Sequence, residues 1–257
     1  MLVQDDPRFS LVVPAYNEEA LLPRLLDTVA RARARYRGGA HAIEVIVADD
    51  GSTDGTARIA RAWGATVVPV AARRIGGARN GGARAARGEI LAFADADLQL
   101  HPETFNEIDR VLASGAVTGG TSGIRFERRS PGIACTRALL VVMGSLIRLA
   151  VGQAPTAEVE TGVVFVRRRD FEAIGGYDDE RFFGEDVQLL VDLARYGRRQ
   201  GRRLARGTEA RAIWSTRKFD QFGDWHYFTA PFRLPWRALV RRSAINAFAR
   251  RYWYGGR

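Results

Sequence analysis

Acidic residues recur at three places in the chain, each within a few residues of a short apolar run. The runs are 9–13, 43–48 and 90–94. The acidic residues that follow them are Glu18, Asp49, Asp50, Asp95 and Asp97. Five carboxylates gathered at one place would repel one another, so a divalent cation or a network of hydrogen-bond donors is needed to hold them together.

The spacing of Asp95 and Asp97 suits a metal ion. Both follow a predicted strand, and the alternation of side chains along a strand points the two carboxylates to the same side. Two such carboxylates suit Mg²⁺ or Mn²⁺, which share further oxygens with substrate phosphates. An isolated D-x-D is often only a solvated loop, but its position after a strand and behind a second acidic strand end favours the metal site.

The segment from Asp49 to Thr56 reads DDGSTDGT and leads from a strand into a helix. Ser52, Thr53 or Asp54 can cap that helix, which explains one residue of the segment. Capping leaves the pair Asp49 and Asp50 unexplained. Carboxylates there suit the acceptance of hydrogen bonds from a base N–H or a ribose hydroxyl.

A glycine-rich segment, 76–82, carries Arg79 at the predicted entry to a helix. Backbone N–H groups at a helix start and an arginine guanidinium both bind phosphate well. The segment is neither G-x-G-x-x-G nor a Walker loop, which disfavours a dinucleotide oxidoreductase or a P-loop enzyme.

The elements that must position these residues alternate in type through residue 100. Hydrophobic periodicity predicts strands at 9–14, 43–48, 66–70 and 90–94, and helices from Asn17 to before Gly38, at 54–63 and at 78–87. This alternation predicts an α/β fold with a parallel sheet and helices on both faces, and ligands bind at the carboxyl ends of such strands. Farther on we expect strands at 117–126 and 163–167, and helices at 102–113, 137–151, 170–175 and 183–196.

Composition excludes several classes of protein. The chain has 257 residues, of which 46% are hydrophobic, so disorder is not expected. The single cysteine, Cys135, cannot form an internal disulfide and is expected to be inert packing, which favours a cytoplasmic or cytosol-facing protein. We see no secretory signal and no apolar run of about 18 residues, the length that spans a membrane.

The positive charge is concentrated near the end of the chain. Residues 196–257 hold 15 Lys and Arg against 3 Asp and Glu, whereas the net charge of the whole chain is +10. A basic, aromatic tail can contact nucleic acid, an anionic membrane or a phosphorylated ligand, or it can be a solvated surface.

Taken together, several strings of the chain resemble family 2 inverting glycosyltransferases of the GT-A fold. They are VVPAYNEE (12–19), VADDGSTDGT (47–56), ARNGGARAARGEI (78–90), FADADLQLHPE (93–103), TGVVFVRR (161–168), GGYDD (175–179) and the acidic pair Glu185-Asp186. They run in the family's order over about residues 9–195. Alone, Glu185-Asp186 would read as a charge pair in the first turn of a helix.

The resemblance implies a role for each matching residue. The base and ribose would be lined by Pro14, Tyr16, Glu18, Asp49 and Asp50. Arg79 would approach the pyrophosphate, and Mg²⁺ or Mn²⁺ would be bound by Asp95 and Asp97. Asp186 would be the general base, and the acceptor side would include Gly175, Gly176 and Glu185. Asp97 would be the direct metal ligand. Arg217, in WSTRK where related processive enzymes have Q-x-x-R-W, would reach the pyrophosphate or remain a surface cation.

The implied activity is metal-dependent transfer of one sugar, with inversion, from a nucleoside diphosphate sugar to a hydroxyl acceptor. UDP is the default nucleotide, and a lipid-linked acceptor is one option. We expect a single GT-A domain with a mostly parallel sheet. Residues 1–114 would bind the nucleotide sugar, 115–230 would form the acceptor side, and 231–257 would be a basic, aromatic helix. Loops within 115–160 and 200–257 would set the specificity for sugar and acceptor. That helix would pack against the sheet or contact the cytoplasmic face of a membrane.

Two rival functions remain at this stage. A nucleotidyltransferase on a similar sheet would release pyrophosphate from a nucleoside triphosphate. A nucleic-acid-binding protein would use the basic tail, but the first 195 residues carry a net charge of −2 and contain no recognised reader motif, so we expect no nucleic-acid partner.

Overall fold

The computed structural model describes residues 6–151, 161–180, 184–225 and 228. The predicted basic helix at 231–257 lies outside the described residues. No helix within the described ranges is long and apolar enough to cross a membrane.

The described strands form one sheet. They are β1 (Phe9–Ala15), β2 (Ile43–Asp49), β3 (Thr66–Pro69), β4 (Ile90–Phe93), β5 (Leu98–Gln99), β6 (Val117–Phe126), β7 (Val164–Arg167) and β8 (Arg203–Trp214). Their order across the sheet is β3-β2-β1-β4-β7-β6-β8-β5. Strands β3, β2, β1 and β4 are parallel neighbours, β8 is parallel to β6, and β7 and β5 pair antiparallel with their neighbours.

Helices cover both faces of this sheet. They are α1 (Leu22–Arg35), α2 (Thr56–Trp63), α3 (Ile75–Ala85), α4 (Thr104–Ala113), α5 (Pro131–Val151), α6 (Arg168–Ala173), α7 (Glu185–Arg199) and α8 (Arg217–Phe222). Alternate residues of β1 face opposite ways, so Leu11 lies in the core cluster that includes residues of α1 and α4, whereas Val12 faces α3 and lies in the cluster that includes residues of α7. The predicted two-faced sheet is therefore confirmed.

Three predicted helices start three or more residues away from the predicted position. Helix α1 begins at Leu22 because residues from Asn17 to Leu21 form a turn, in which Asn17 has a φ of 50° and the Thr53 N–H donates to Asn17 Oδ1 at 2.8 Å. Helix α3 begins at Ile75, and α5 begins at Pro131, a residue that suits the first turn of a helix.

Helix α3 lies unusually close to the sheet, and its glycines explain why. A Cβ atom at Gly82 would clash with Val12 Cγ1 in β1, and one at Gly81 would lie 2.8 Å from a methyl group of Val70. All the glycines of 76–82 lie within the helix, those at 76 and 77 in its first turn. The close approach of α3 to β1 carries Arg79 toward the edge of the sheet where β1 and β4 end.

The prediction was wrong for residues 203–222, within the described part of the chain. We expected loops there, but β8 runs through Arg203–Trp214 and α8 follows it. Strand β8 joins the sheet between β6 and β5, where Trp214 is paired with Leu98. A further correction concerns Cys135, which is exposed on α5 and does not pack in the core.

Candidate active site

Polar residues meet at the carboxyl ends of β1, β2 and β4. These strands are in parallel register, with Ala15 opposite Asp49 and Val12 opposite Phe93, so the segments that follow them emerge at one edge. A pocket of about 750 Å³, its open mouth included, lies at this edge. It is lined by Pro14, Ala15, Tyr16, Glu18, Asp50, Ile75, Ala78, Asp95, Ala96, Asp97, Trp214, Ser215, Lys218 and Phe219.

Six of the residues singled out in the sequence line this pocket: Pro14, Tyr16, Glu18, Asp50, Asp95 and Asp97. The wall formed by Trp214, Ser215, Lys218 and Phe219 was missed, because it depends on β8 and α8. One signal for it was present, since the WSTRK segment that contains Arg217 joins these two elements.

The two adjacent aspartates after β2 have different environments. Asp50 is 2% exposed, lines the pocket and accepts the backbone N–H of Arg73 at 2.8 Å. Asp49 does not line the pocket; its Oδ1 accepts the N–H of Ser52 at 3.1 Å and so shapes the turn. Over the pocket residue Tyr16, the Arg73 guanidinium lies 4.7 Å from the ring centroid.

Arg79 joins two groups of carboxylates in what we call the Arg79 cluster: Arg79, Asp95, Glu185, Asp186 and Tyr177. The Arg79 side chain is 4% exposed. Its Nη2 donates to Asp95 Oδ1 at 2.8 Å, and its Nη1 donates to Asp186 Oδ1 at 2.6 Å and to Glu185 Oε1 at 3.3 Å. The Tyr177 hydroxyl also donates to Asp186 Oδ1, at 3.0 Å.

Burial governs the proton affinities in the Arg79 cluster. Burial, with the neighbouring charge of Asp186, raises the pKa of Glu185 to about 7. The pKa of Asp186 is also raised by burial, although the Arg79 charge opposes that rise. The pKa of Arg79 is held well above its usual range by the surrounding carboxylates, so this cation stays protonated.

A second arginine makes what we call the Arg217 cluster: Arg217, Glu18 and Asp97. Arg217 donates to the two carboxylate oxygens of Glu18 at 2.7 and 3.1 Å and to Asp97 Oδ2 at 3.4 Å. Burial, together with the charges of Asp95 and Glu18, raises the pKa of Asp97 to about 6. This places Arg217 at the carboxylates of the pocket, and not as a cation on the open surface.

The predicted acceptor glycines form the turn that ends α6. Gly175 and Gly176 have φ values of 83° and 76°, and their N–H groups donate to carbonyl oxygens of α6. A Cβ atom at Gly176 would lie 2.7 Å from Asn80 Oδ1, which accepts the N–H of Tyr177 at 3.0 Å. The turn thus sets the position of Tyr177, and the acceptor role of these glycines stays a prediction.

The donor set at the pocket suits a hard divalent cation. Asp95 and Asp97 supply carboxylate oxygens, the ligand type that Mg²⁺ and Mn²⁺ prefer, at neighbouring positions of the pocket. The described residues contain no cluster of three or more Asp, Glu, His or Cys arranged to hold a metal ion. His101 accepts the N–H of Glu103, and His41 is exposed.

Residues 10–171 of the chain match a protein-family model described as glycosyl transferase family 2. One curated relative is the undecaprenyl-phosphate 4-deoxy-4-formamido-L-arabinose transferase of Pseudomonas paraeruginosa. It is 38% identical over 127 residues, which cover 47% of this chain and 36% of the relative. The chain matches between 24% and 43% of the length of three of its curated relatives.

Two solved structures share the fold. One is a mannosyltransferase of Pyrobaculum calidifontis in complex with GDP-Man and Mn²⁺, with a TM-score of 0.61, 23% identity and coverage of 81% of this chain and 56% of the other. The second is glucosyl-3-phosphoglycerate synthase of Mycobacterium tuberculosis with Mn²⁺, UDP and phosphoglyceric acid, with a TM-score of 0.60, 22% identity and coverage of 89% and 80%. The predicted GT-A fold is confirmed.

Proposed function

Because the chain belongs to glycosyl transferase family 2, we propose that its pocket binds a nucleoside diphosphate sugar and that the protein transfers the sugar to an acceptor with inversion. The observation that carries this proposal is the convergence of Glu18, Asp50, Asp95 and Asp97 on one pocket at the carboxyl edge of the sheet. Such an edge is where open α/β sheets bind nucleotides.

The half of the pocket nearest β1 and β2 suits the nucleoside. Tyr16 offers a ring face, and Pro14 offers an apolar surface. Asp50, whose Oδ1 accepts the Arg73 N–H, presents a carboxylate to the pocket, a group suited to hydrogen bonds from a base or a ribose. UDP is the proposed nucleotide, in keeping with the UDP complex of glucosyl-3-phosphoglycerate synthase. GDP is the alternative, because the mannosyltransferase with the same fold is a complex with GDP-Man.

Asp95 and Asp97 are the proposed ligands of Mg²⁺ or Mn²⁺, with the donor diphosphate completing the coordination. Such an ion supplies a positive charge that offsets the charge developing on the departing diphosphate. Two fold relatives are complexes with Mn²⁺, which supports this assignment. Lys218 adds positive charge on the wall of the same pocket, and Arg217 adds another through its contact with the pocket residue Asp97.

Asp186 is the proposed general base for a hydroxyl acceptor. Its Oδ1 accepts two hydrogen bonds, from Arg79 and Tyr177, whereas its Oδ2 accepts one long bond from the Thr161 hydroxyl, at 3.3 Å. Oδ2 is therefore the oxygen available to take the acceptor proton. An aspartate whose pKa is raised holds that proton more readily than an ordinary aspartate does.

The acceptor class is proposed to be lipid-linked. The support is one relative whose name specifies undecaprenyl phosphate and another named for dolichyl phosphate. Co-sedimentation with anionic vesicles, compared between the full chain and a chain lacking 231–257, tests this proposal. Binding that requires low salt and the tail supports contact with a membrane. Loss of folding on deletion would show instead that the tail packs against the domain.

The donor is tested by thermal shift with UDP-, GDP- and dTDP-sugars, each with and without Mn²⁺. We expect one nucleotide to raise the melting temperature, and only when the cation is present. Nuclear magnetic resonance of the product then gives its anomeric configuration, which should be opposite to that of the donor. Release of pyrophosphate from a nucleoside triphosphate would identify a nucleotidyltransferase instead, and no response to any nucleotide would contradict the proposal.

A further inference from the structure

The buried Arg79 lies between the two groups of carboxylates that sugar transfer requires. Its guanidinium contacts Asp95, a proposed metal ligand, and Asp186, the proposed base. We propose that Arg79 is a positioning residue that joins these two carboxylates and orients Asp186, and that it does not bind the donor diphosphate. This inference rests on the proposed function for the role of Asp186, and it departs from the pyrophosphate role that the family resemblance implies.

The accessibility of Arg79 supports this inference. Its side chain is 4% exposed, and Arg79 does not line the pocket, although Ile75 and Ala78 of the same helix do. Both terminal nitrogens already donate to carboxylates. Contact with a diphosphate would require the guanidinium to leave these partners, and buried carboxylates without a counter-charge are strongly unfavourable.

The surroundings of Asp186 show how Arg79 orients its carboxylate. Arg79 Nη1 and the Tyr177 hydroxyl converge on one oxygen, Oδ1, and so fix the rotation of the carboxylate. The Arg79 guanidinium also lies 5.2 Å from the centroid of the Tyr177 ring. The groups around Asp186 are thus one cation, one phenol, the Thr161 hydroxyl and the carboxylates of Glu185 and Asp95.

One helix supports both donors to Asp186. Helix α3 carries Arg79 itself, and its next residue, Asn80, holds Tyr177 by accepting its N–H at 3.0 Å and donating to its carbonyl oxygen at 2.8 Å. The close packing of α3 on β1 at Gly82 restricts movement of this helix. The orientation of Asp186 is therefore set by the position of α3 relative to the sheet.

The decisive experiment separates the kinetic parameters of Arg79→Lys and Arg79→Met. Isothermal titration with UDP and Mn²⁺ gives nucleotide affinity, and steady-state transfer gives kcat. We expect Kd to stay within a few fold, whereas kcat falls by about tenfold or more in the lysine variant and further in the methionine variant. Arg84→Met, an exposed position on the same helix, is the matched control and should behave as the wild type.

The opposite pattern would overturn the inference. If Arg79 bound the diphosphate, Kd for UDP would rise as kcat/KM falls, and the lysine variant would retain much of the affinity through its charge. A protein that binds no nucleotide at all would instead contradict the proposed function.

A measurement of stability, which needs no enzymatic turnover, tests the inference even if the protein binds no nucleotide or if Arg79→Met does not fold. The experiment is a double-mutant cycle of Arg79→Lys and Asp186→Asn, with stability measured by thermal unfolding. If Arg79 holds Asp186, the loss of stability caused by Asp186→Asn is smaller in the Arg79→Lys variant than in the wild type. If the losses of stability in the two single variants simply add in the double variant, the proposed link between Arg79 and Asp186 is wrong, whatever group the protein transfers.

Discussion

The Arg79 and Arg217 clusters use the same chemistry in two different settings. Arg79 is 4% exposed, lies on a helix packed against the first strand and contacts three carboxylates. Arg217 is 28% exposed, follows the last described strand and contacts Glu18 and Asp97 at the pocket. The comparison indicates that the buried arginine fixes the arrangement of its carboxylates, whereas another cation could displace the more exposed arginine from Glu18 and Asp97.

The largest effect is expected at the carboxylate that the Arg217 cluster shares with the metal site. Asp97→Ala should abolish metal-dependent donor binding while the fold is retained, because the direct ligand is lost. Isothermal titration of UDP in the presence of Mn²⁺ measures this. Asp27→Ala, an exposed position on α1, is the control. Undiminished affinity in the Asp97 variant would show that the cation is held elsewhere.

In the Arg79 cluster, Asp186→Asn should reduce transfer to a hydroxyl acceptor by roughly 100-fold or more, because an amide cannot take the acceptor proton. Donor binding should change by no more than a few fold, since Asp186 does not line the pocket. Steady-state kinetics and nucleotide titration on the same preparation measure both. A variant with near-normal kcat would show that Asp186 is structural or that the acceptor needs no base.

A smaller effect is expected from Arg217→Met. In the absence of nucleotide its guanidinium contacts the carboxylate of Asp97, which a metal ion would use, so its removal should raise the affinity for Mn²⁺ several-fold. Mn²⁺ titration followed by electron paramagnetic resonance measures this, with Arg31→Met, exposed on α1, as control. Weaker Mn²⁺ binding would mean that Arg217 supports the metal site instead of competing for it.

The last prediction concerns stability as a function of pH without added metal. The pKa of Glu185 is about 7 in the folded protein against 4.5 for the ordinary group, so the folded state binds the proton more tightly. The free energy of unfolding should therefore fall by on the order of 2 kcal/mol between pH 4.5 and 7. Glu185→Gln should flatten this fall in thermal-unfolding scans, and an unchanged slope would contradict the assignment.

The sequence was sufficient for the parts of the site that depend on local patterns. Strands β1, β2 and β4 are short, apolar and followed by acidic residues, and parallel pairing alone brings their ends together. The prediction at Arg79 was less complete. Composition indicated phosphate binding, but the packing of Gly82 against Val12 places α3 so that its arginine faces carboxylates.

The missing parts depend on contacts between distant residues. Strand β8 has no regular apolar alternation at Arg206–Glu209, where backbone N–H groups donate to the buried carboxylate of Glu107 and the register with β6 shifts. Only tertiary structure supplies Glu107 as their partner. The ion pair between Arg217 and Glu18 is likewise invisible in the sequence, because nearly the whole domain separates the two residues.

The pairing of Leu98 with Trp214 has a consequence for how the protein folds. The wall of the pocket enters the sheet only after more than a hundred further residues have been synthesised, and such non-local pairings form slowly. We therefore expect the carboxylates after β1, β2 and β4 to assemble before the wall that faces them. Nucleotide binding should appear late during refolding, after the central strands are already protected from hydrogen exchange, and so report completion of the native topology.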